Sequence, residues 1–132
     1  MTVKTLYRVK FFDTDTFGVV HHSNYIRWFE TGRVEFLRTL GIDLNNMMSD
    51  GILFPIIEIG AKFHAPARFD DELEIETTGE ALTKAKLQFN YKIRRIGEEK
   101  VLVEGNSTNV FTHGGKICRL PDKYSNKLVK GL

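Results

Sequence analysis

Four side chains that could do chemistry lie close together near the start of the chain. The stretch FFDTDTFGVVHHSNY, residues 11–25, contains two carboxylates, Asp13 and Asp15, and the adjacent imidazoles of His21 and His22. Carboxylates and imidazoles can bind metal ions, attack carbonyl groups or transfer protons. The spacing of these residues decides which kind of site the stretch predicts.

The spacing argues against a metal site. A calcium loop of the EF-hand type that began at Asp13 would need an oxygen ligand at position five and a glutamate at position twelve. Those positions hold Phe17 and Asn24. Adjacent histidines such as His21 and His22 do not point at one ion, whereas zinc-binding helices space theirs at i and i+4. We therefore expect no metal ion, and the chain also lacks a glycine-rich phosphate loop and the G-x-S-x-G turn of serine hydrolases.

The remaining interpretation is a carboxylate placed just before a helix. Residues 23–41 have the apolar period of a helix, with Ser23 as the predicted N-cap and Gly41 as the C-terminal stop. The first N–H groups of a helix are unpaired and carry partial positive charge, so they could stabilise an oxyanion while Asp15 attacks a carbonyl or activates water. The alternative is that Asp13 and Asp15 only accept hydrogen bonds within a turn. The local pattern leaves both possibilities open.

The surrounding elements predict an α+β fold. Residues 6–12 alternate, with Tyr7, Val9 and Phe11 on one face, as in a half-buried strand. The helix carries a wide apolar arc, which is typical of a helix wrapped by a sheet. Consecutive strands are predicted at 57–64, 72–77, 85–94, 101–112 and, after a hairpin turn at 113–116, 117–120. This order indicates an antiparallel sheet with the helix against one face.

Two smaller features complete the pattern. Arg33 falls inside the apolar arc of the helix, where we expect it to pair with Glu30 or to extend its stem towards solvent; the alternative is that it binds a ligand. Residues 44–50 predict a short helical turn that Gly51 closes.

Length and composition limit the remaining possibilities. A chain of 132 residues predicts one domain over residues 1–132, and 42% hydrophobic with 27% charged residues indicates a globular protein. A net charge of +2, spread along the chain, does not point to nucleic acid. A single cysteine, Cys118, excludes an internal disulfide. Without a secretory signal or an apolar run of about 20 residues, we expect a cytoplasmic protein with no membrane span.

The motif D-T-D-x-x-G-V-V-x-H-x-x-Y, followed by W-F-E-x-x-R-x-E-F-L, resembles the 4-hydroxybenzoyl-CoA thioesterase family of hotdog-fold acyl-CoA thioesterases, in particular its YbgC-like branch. The likeness extends over nearly the whole chain. It implies a hotdog fold, in which an antiparallel sheet of five to six strands wraps the long helix. It also implies homo-oligomers, dimers or tetramers, with active sites between protomers. The implied reaction is hydrolysis of an acyl-CoA thioester, with no cofactor besides the CoA of the substrate.

The resemblance also assigns catalytic roles. Asp15 matches the catalytic carboxylate, which acts as nucleophile or general base. The backbone N–H of His22 matches the donor to the thioester carbonyl, and the His22 side chain is expected to position substrate or water. Asp13 matches a first carboxylate that is expected to fix the loop.

Further matched positions concern substrate binding. Gly18 and Val19 match the loop that enters the helix, and Tyr25 matches the aromatic residue at its start. His21 stands where relatives often carry an aromatic residue, which predicts a more polar acyl pocket. The segment that binds the CoA phosphates is matched loosely by Lys84 and Lys86; further basic candidates are Arg94, Arg95, Lys116 and Arg119.

Two alternative functions remain at this stage. Acyl carrier protein is acidic, so a thioesterase acting on it would need a basic surface, which Lys84, Lys86, Arg94 and Arg95 could supply. A non-catalytic module that binds acyl-CoA is the other alternative, because hotdog domains also serve in that way.

Overall fold

The computed structural model describes residues 1–132, and one antiparallel sheet of five strands dominates it. The strands are β1 (Thr2–Arg8), β2 (Ile52–Leu53), β3 (Ile56–Phe63), β4 (Glu72–Thr83), β5 (Lys86–Arg95), β6 (Val101–Val110), β7 (Thr112–His113) and β8 (Lys116–Ile117). The helices are α1 (His22–Thr39), α2 (Leu44–Ser49) and α3 (Asp122–Gly131). The main sheet has the order β1-β4-β5-β6-β3, and β2, β7 and β8 form a second, small sheet.

Helix α1 crosses the main sheet, and its contacts follow the strand order. Going around the circumference of α1, its side chains contact first β1, then β4, then β5 and finally β3. The contacts in that order are Trp28 with Tyr7, Gly32 with Thr77, Phe36 with Phe89, Phe29 with Tyr91, and His22 and Tyr25 with Phe63. The wide apolar arc therefore serves to cover a whole curved sheet, and the predicted α+β hotdog fold is confirmed.

Two glycines allow the helix and the sheet to approach closely. A Cβ at Gly32 would lie 2.3 Å from Thr77 Oγ1, and a Cβ at Gly105 would lie 2.2 Å from the Phe29 ring. Neither contact is possible for a larger residue without a shift of the helix, because protein interiors are close-packed.

The start of the chain departs from the prediction. Strand β1 ends at Arg8, and residues Phe11–Asp13 form a 3₁₀ turn instead of continuing the strand to residue 12. The Asp13 carboxylate accepts the Lys10 N–H, which turns the chain at this point. Phe11, predicted to lie on the buried face, is 77% exposed.

Three further points correct or extend the prediction. Helix α1 begins at His22 with His21, rather than Ser23, as its N-cap. Arg33 donates to the Tyr91 hydroxyl and forms no ion pair with Glu30. The sequence did not predict helix α3. In place of the predicted strand over 117–120, the structure forms only the two-residue strand β8. The short helix after residue 43 and the hairpin turn near residue 114 are confirmed.

Candidate active site

A tight hairpin over residues 14–20 carries the first of the predicted site residues. Thr14 pairs with Val20, the Asp15 N–H donates to the Val19 carbonyl at 2.9 Å, and the Gly18 N–H donates to the Asp15 carbonyl at 3.1 Å. Gly18 has a φ of +77°, which residues with a side chain rarely adopt. The sequence D-T-F-G thus encodes a turn with Asp at its first position and Gly at its last.

Asp13, the first carboxylate, is a buried structural residue. Its Oδ2 accepts the Tyr7 hydroxyl at 2.8 Å and the Lys10 N–H at 2.9 Å. Its backbone carbonyl accepts the Asn24 side-chain amide at 2.8 Å and the His21 N–H at 3.1 Å. Burial and the bond to Asp13 raise the pKa of Tyr7. Asp13 therefore connects β1, the hairpin and the start of α1.

Asp15, the second carboxylate, has a different environment. Its side chain is exposed, Oδ1 accepts the Phe17 N–H at 2.8 Å, and Oδ2 accepts no hydrogen bond from the chain. The hypothesis that Asp15 only accepts hydrogen bonds within the turn thus explains the position of one carboxylate oxygen, Oδ1. The other oxygen is available to a ligand.

The start of α1 supplies an unpaired donor shortly after this hairpin. His21 caps the helix: its Nδ1 accepts the Ser23 N–H at 3.2 Å, and its carbonyl accepts the Asn24 N–H at 3.0 Å. The same Nδ1 also lies 2.7 Å from Ser23 Oγ. The His22 N–H donates to no acceptor in the chain. An N–H at a helix start that is free in this way can bind a carbonyl oxygen or an oxyanion.

Aromatic rings form one wall beside the helix start. The His22 ring stacks on His21 with centroids 4.2 Å apart and meets the edge of Phe63 at 6.2 Å. Tyr25 lies 5.5 Å from Phe63 and is buried, its hydroxyl accepts the Ala67 N–H at 2.9 Å, and burial raises its pKa. Tyr25 thereby holds the loop after β3 against the helix. Its contact with substrate stays a prediction.

The segment 63–68 is the part of the site that sequence reasoning missed. The Val20 N–H donates to the Ala67 carbonyl, and Val19 bridges to Arg68, so this segment contacts both the hairpin and α1. No local signal marks it, because the two segments meet across more than 40 residues of chain.

The structure brings together the site residues of the N-terminal motif: Asp15, Gly18, Val19, His21, His22 and Tyr25. It does not bring Lys84 and Lys86 to them. The hairpin lies beside the first residues of β4, and Lys84 follows its last residue. Twelve residues at about 3.3 Å each separate the two ends by roughly 35 to 40 Å. Lys84 instead lines a cavity of about 310 Å³ beneath α3, with Arg119.

Two other basic candidates are already paired. Arg94 contacts Glu76 at 3.6 Å, and Arg95 contacts Asp71 at 2.8 Å and Glu98 at 3.6 Å. These arginines stabilise the sheet end near the hairpin, which leaves less of their charge for a phosphate or an acidic partner.

The structure contains neither a membrane-spanning helix nor a cluster of metal ligands. None of its helices is both long and apolar enough to cross a membrane. No three His, Cys, Asp or Glu side chains cluster in a way that could hold a metal ion.

Comparison with known proteins identifies the family of this chain. The family model described as the thioesterase-like superfamily matches residues 9–128. Acyl-CoA thioester hydrolase YbgC of Escherichia coli O6:H1 is 35% identical over 101 residues, which are 73% of this chain and 75% of the relative.

Solved structures share the fold over nearly the full length. The hypothetical protein TT1821 from Thermus thermophilus is 32% identical, with a TM-score of 0.92 over 100% of this chain and 98% of that one. Slr0204, a 1,4-dihydroxy-2-naphthoyl-CoA thioesterase from Synechocystis, is 21% identical and has a TM-score of 0.91 over 98% and 96% of the two chains. The chain therefore belongs to the thioesterase-like superfamily, in the YbgC-like branch of the hotdog thioesterases, and is a thioester hydrolase.

Proposed function

We propose that this protein hydrolyses acyl-CoA thioesters to a carboxylic acid and free CoA, with Asp15 as nucleophile or general base and without a metal ion. The observation that carries the proposal is the free carboxylate oxygen of Asp15 on a hairpin that leads directly into the unpaired His22 N–H. The likeness to YbgC, whose name describes an acyl-CoA thioester hydrolase, supports the substrate class. The family membership favours an enzyme over a non-catalytic binding module.

The two groups have complementary roles in the reaction. The thioester carbonyl oxygen accepts the His22 N–H, and the partial positive charge of the helix start stabilises the oxyanion that forms there. As a nucleophile, Asp15 attacks the carbonyl carbon, the CoA thiolate leaves, and water then hydrolyses the mixed anhydride. As a general base, Asp15 instead removes a proton from the attacking water. The His22 ring, which stacks on His21, then positions the substrate or that water.

The complete site lies between two copies of the chain in this proposal. In a single chain Asp15 and His22 are exposed, and Phe63 beside them is 49% exposed. An enclosed site strengthens electrostatic stabilisation by excluding water, and one chain does not enclose this one. Lys84 and Lys86, at the far end of β4, could contribute to CoA binding from another copy.

Carrier-protein thioesters are the second candidate substrates, and the charge distribution favours CoA over them. A docking surface for an acidic carrier protein needs several free cations near the site. Arg94 and Arg95, the basic residues at that end of the sheet, are held in ion pairs. Rates on CoA and carrier-protein thioesters of one acyl group would compare the two directly.

The substitution Asp15→Asn tests the catalytic role. It keeps the size of the side chain and its ability to accept the Phe17 N–H but removes the carboxylate, so we expect kcat for acyl-CoA to fall well over tenfold. Asp70→Asn is the matched control, because Asp70 is an exposed aspartate near the same loop and Asn tolerates its φ of +68°. Thiol release measures turnover, and circular dichroism checks the fold. Unchanged turnover in Asp15→Asn would overturn the assignment, and loss of turnover on adding a chelator would overturn the metal-free mechanism.

A further inference from the structure

Arg33 carries a charge that no carboxylate of the chain neutralises. The residue lies on α1 and is 6% exposed, and its single side-chain hydrogen bond goes from Nη1 to the Tyr91 hydroxyl at 3.0 Å. That hydroxyl also lies 2.6 Å from Ser107 Oγ, so the chain offers this guanidinium only neutral hydroxyl groups. None of the ion pairs of the chain includes Arg33. Because a buried charge is costly unless it is paired, the guanidinium is suited to an anionic partner from outside the chain.

The other guanidinium nitrogens of Arg33 are reachable from solvent. The buried side-chain atoms that lack a hydrogen-bond partner are Thr5 Oγ1, Thr77 Oγ1 and Asn109 Oδ1, and no nitrogen of Arg33 is among them. Since only Nη1 makes a hydrogen bond, Nε and Nη2 are accessible rather than sealed in the core. A guanidinium presents its donors as a planar fork that fits the two oxygens of a carboxylate. The free donors therefore fit a carboxylate.

One stripe of α1 connects Arg33 with the start of the helix. His22, Ile26, Phe29 and Arg33 are spaced i, i+4, i+7 and i+11, so at 100° per residue they lie within about 60° of one another around the helix. The eleven residues from His22 to Arg33 rise by roughly 16 Å along the helix axis. The stripe thus leads from the unpaired His22 N–H to the guanidinium.

Strand β3 runs beside this stripe. At the helix start, the His22 ring meets the edge of Phe63 with centroids 6.2 Å apart. Further along the strand, Ala61 is the cross-strand neighbour of Gly105, and a Cβ at Gly105 would lie 2.2 Å from the Phe29 ring. The helix and the strand therefore lie alongside each other, with opposite chain directions.

The same register continues as far as Arg33. Ile59 is the cross-strand neighbour of Ser107, and Ser107 bonds the hydroxyl that Arg33 contacts. Successive residues of a strand point to opposite faces of the sheet, so Ile59 faces the helix, whereas the charged Glu58 and Lys62 point to the other face. The helix side of β3 is therefore apolar up to the position of the guanidinium.

An open apolar groove thus leads from the helix start to the guanidinium. Its walls are Ile26 on the helix and Ile59 and Phe63 on the strand, which are 38%, 38% and 49% exposed. Because side chains of a helix lean towards its N-terminus, the His22 N–H and the Arg33 guanidinium lie roughly 10–15 Å apart. This distance suits an acyl chain of about six to ten carbons with a hydrogen bond of about 3 Å at each end.

We propose that Arg33 selects acyl-CoA thioesters whose acyl group ends in a carboxylate, by pairing with that carboxylate at the far end of the groove. The proposal rests on the thioester hydrolysis proposed above and names the substrate class of that site. The acyl chain packs in the groove, the thioester carbonyl accepts the His22 N–H, and the terminal carboxylate accepts from Nε and Nη2 of Arg33. Hydrolysis adds water across the C–S bond, so the products are a dicarboxylic acid and free CoA. Arg33 determines specificity and takes no part in the chemistry.

Matched pairs of substrates test this selectivity. Octanoyl-CoA and octanedioyl-CoA have the same number of acyl carbons and differ only in the terminal carboxylate, and the six- and ten-carbon pairs bracket the length. For the unmodified protein we expect kcat/KM to be at least tenfold higher for the carboxylated member of the best pair, because a methyl group leaves the guanidinium unpaired. Thiol release measures both rates. Equal rates at all three lengths, or faster turnover of the neutral chains, would overturn the proposal.

Substitution of Arg33 assigns the selectivity to this residue. Arg33→Met keeps an unbranched side chain but removes the charge, so kcat/KM for octanedioyl-CoA should fall at least tenfold while that for octanoyl-CoA stays within about threefold. Arg33→Lys keeps the charge without the fork and should fall between the two. Arg27→Met is the matched control, because Arg27 is an exposed arginine of the same helix outside the stripe, and it should change neither rate. Equal losses on both substrates in Arg33→Met would show a structural role and contradict the proposal.

The outcomes separate the selectivity from the function on which it rests. If the unmodified protein hydrolyses no member of any pair, thioester hydrolysis is wrong, and calorimetry with the same acyl-CoAs then decides on Arg33: equal binding of octanedioyl-CoA and octanoyl-CoA would overturn its role. If Arg33→Met loses both rates and also has a lower mass in solution, a carboxylate of a second copy is the partner of Arg33 and the proposal is wrong. Should Arg33→Met not fold, Arg33→Lys and the substrate pairs with the unmodified protein decide the question.

Discussion

The two edge strands of the main sheet, β1 and β3, differ in how completely the rest of the chain covers them. At β1, the residues on the helix side are half-buried, and Tyr7 lies 5.0 Å from Trp28 of α1. The solvent side carries Lys4 and Arg8, which pair with glutamates of β4. Charged side chains on an edge strand discourage pairing with another chain. The β1 edge is therefore completed by its own chain.

The β3 edge is covered less completely on its helix side, although its other side also carries charged residues, Glu58 and Lys62. Its helix side carries Ile57, Ile59 and Phe63, which are exposed by 38–54%. Both edges alternate in the same way in the sequence, so the alternation itself does not distinguish them. The difference lies in what α1 covers: the helix reaches β1 through Trp28, whereas at β3 it leaves a strip open beside the candidate active site.

Placing a cation on each edge should produce the largest contrast. Ile59→Lys introduces a charge on the exposed apolar face of β3, where we expect a second copy to close the site, so the variant should be a monomer and lose at least tenfold in kcat/KM as the site opens to water. Leu6→Lys on β1, at a residue that is also exposed, is the control and should change neither mass nor turnover. Sedimentation and thiol release measure the two properties. A dimeric, fully active Ile59→Lys protein would remove the distinction between the edges.

The two aspartates of the motif should give a smaller and opposite pair of effects. Asp13→Ala leaves the Lys10 N–H and the Tyr7 hydroxyl of the β1 edge without their acceptor, so we expect a loss of about 1–3 kcal/mol in the free energy of unfolding. Asp15→Ala removes one exposed turn bond and should cost about 0.5 kcal/mol or less while abolishing most turnover. Urea denaturation gives the first quantity. Equal destabilisation by the two substitutions would contradict the division of roles.

The local chemistry of the site could be predicted from the sequence, because it depends on neighbours along the chain. The order Asp, Gly, helix start is visible in residues 13–25, and the structure forms a hairpin and a helix there. The predicted N-cap residue, Ser23, was wrong. The side chains of both Ser23 and His21 can accept a backbone N–H from the first turn of a helix, and only the backbone conformation decides which residue does so.

Features that depend on distant parts of the chain could not be predicted. Arg33 was expected to pair with Glu30, three residues away, but its partner Tyr91 is 58 residues away across the helix–sheet interface. Helix α3 was missed because it is short and buries mainly Tyr124 and Leu128, while its remaining large apolar residue, Val129, is exposed. Lys84 and Lys86 were assigned to substrate binding by motif order, which carries no information on which end of a strand a residue occupies.

The contact that holds α3 should give the smallest effect, and one that leaves both edges unchanged. Asp50 Oδ2 accepts the Tyr124 hydroxyl at 2.5 Å and pairs with Lys123 Nζ at 2.6 Å, and these bonds lower the pKa of Asp50 and raise that of Lys123. A carboxyl whose pKa is lower in the folded than in the unfolded chain stabilises the fold above the unfolded value of about 3.9 and loses that contribution as pH falls through the folded value. Asp50→Asn should therefore lower Tm slightly at pH 5–7, and the difference from the unmodified protein should shrink below pH about 4. Because the pair is exposed, the change is expected to be small, and the mass in solution should not change. A change of mass in Asp50→Asn would show that α3, and not the β3 edge alone, controls assembly.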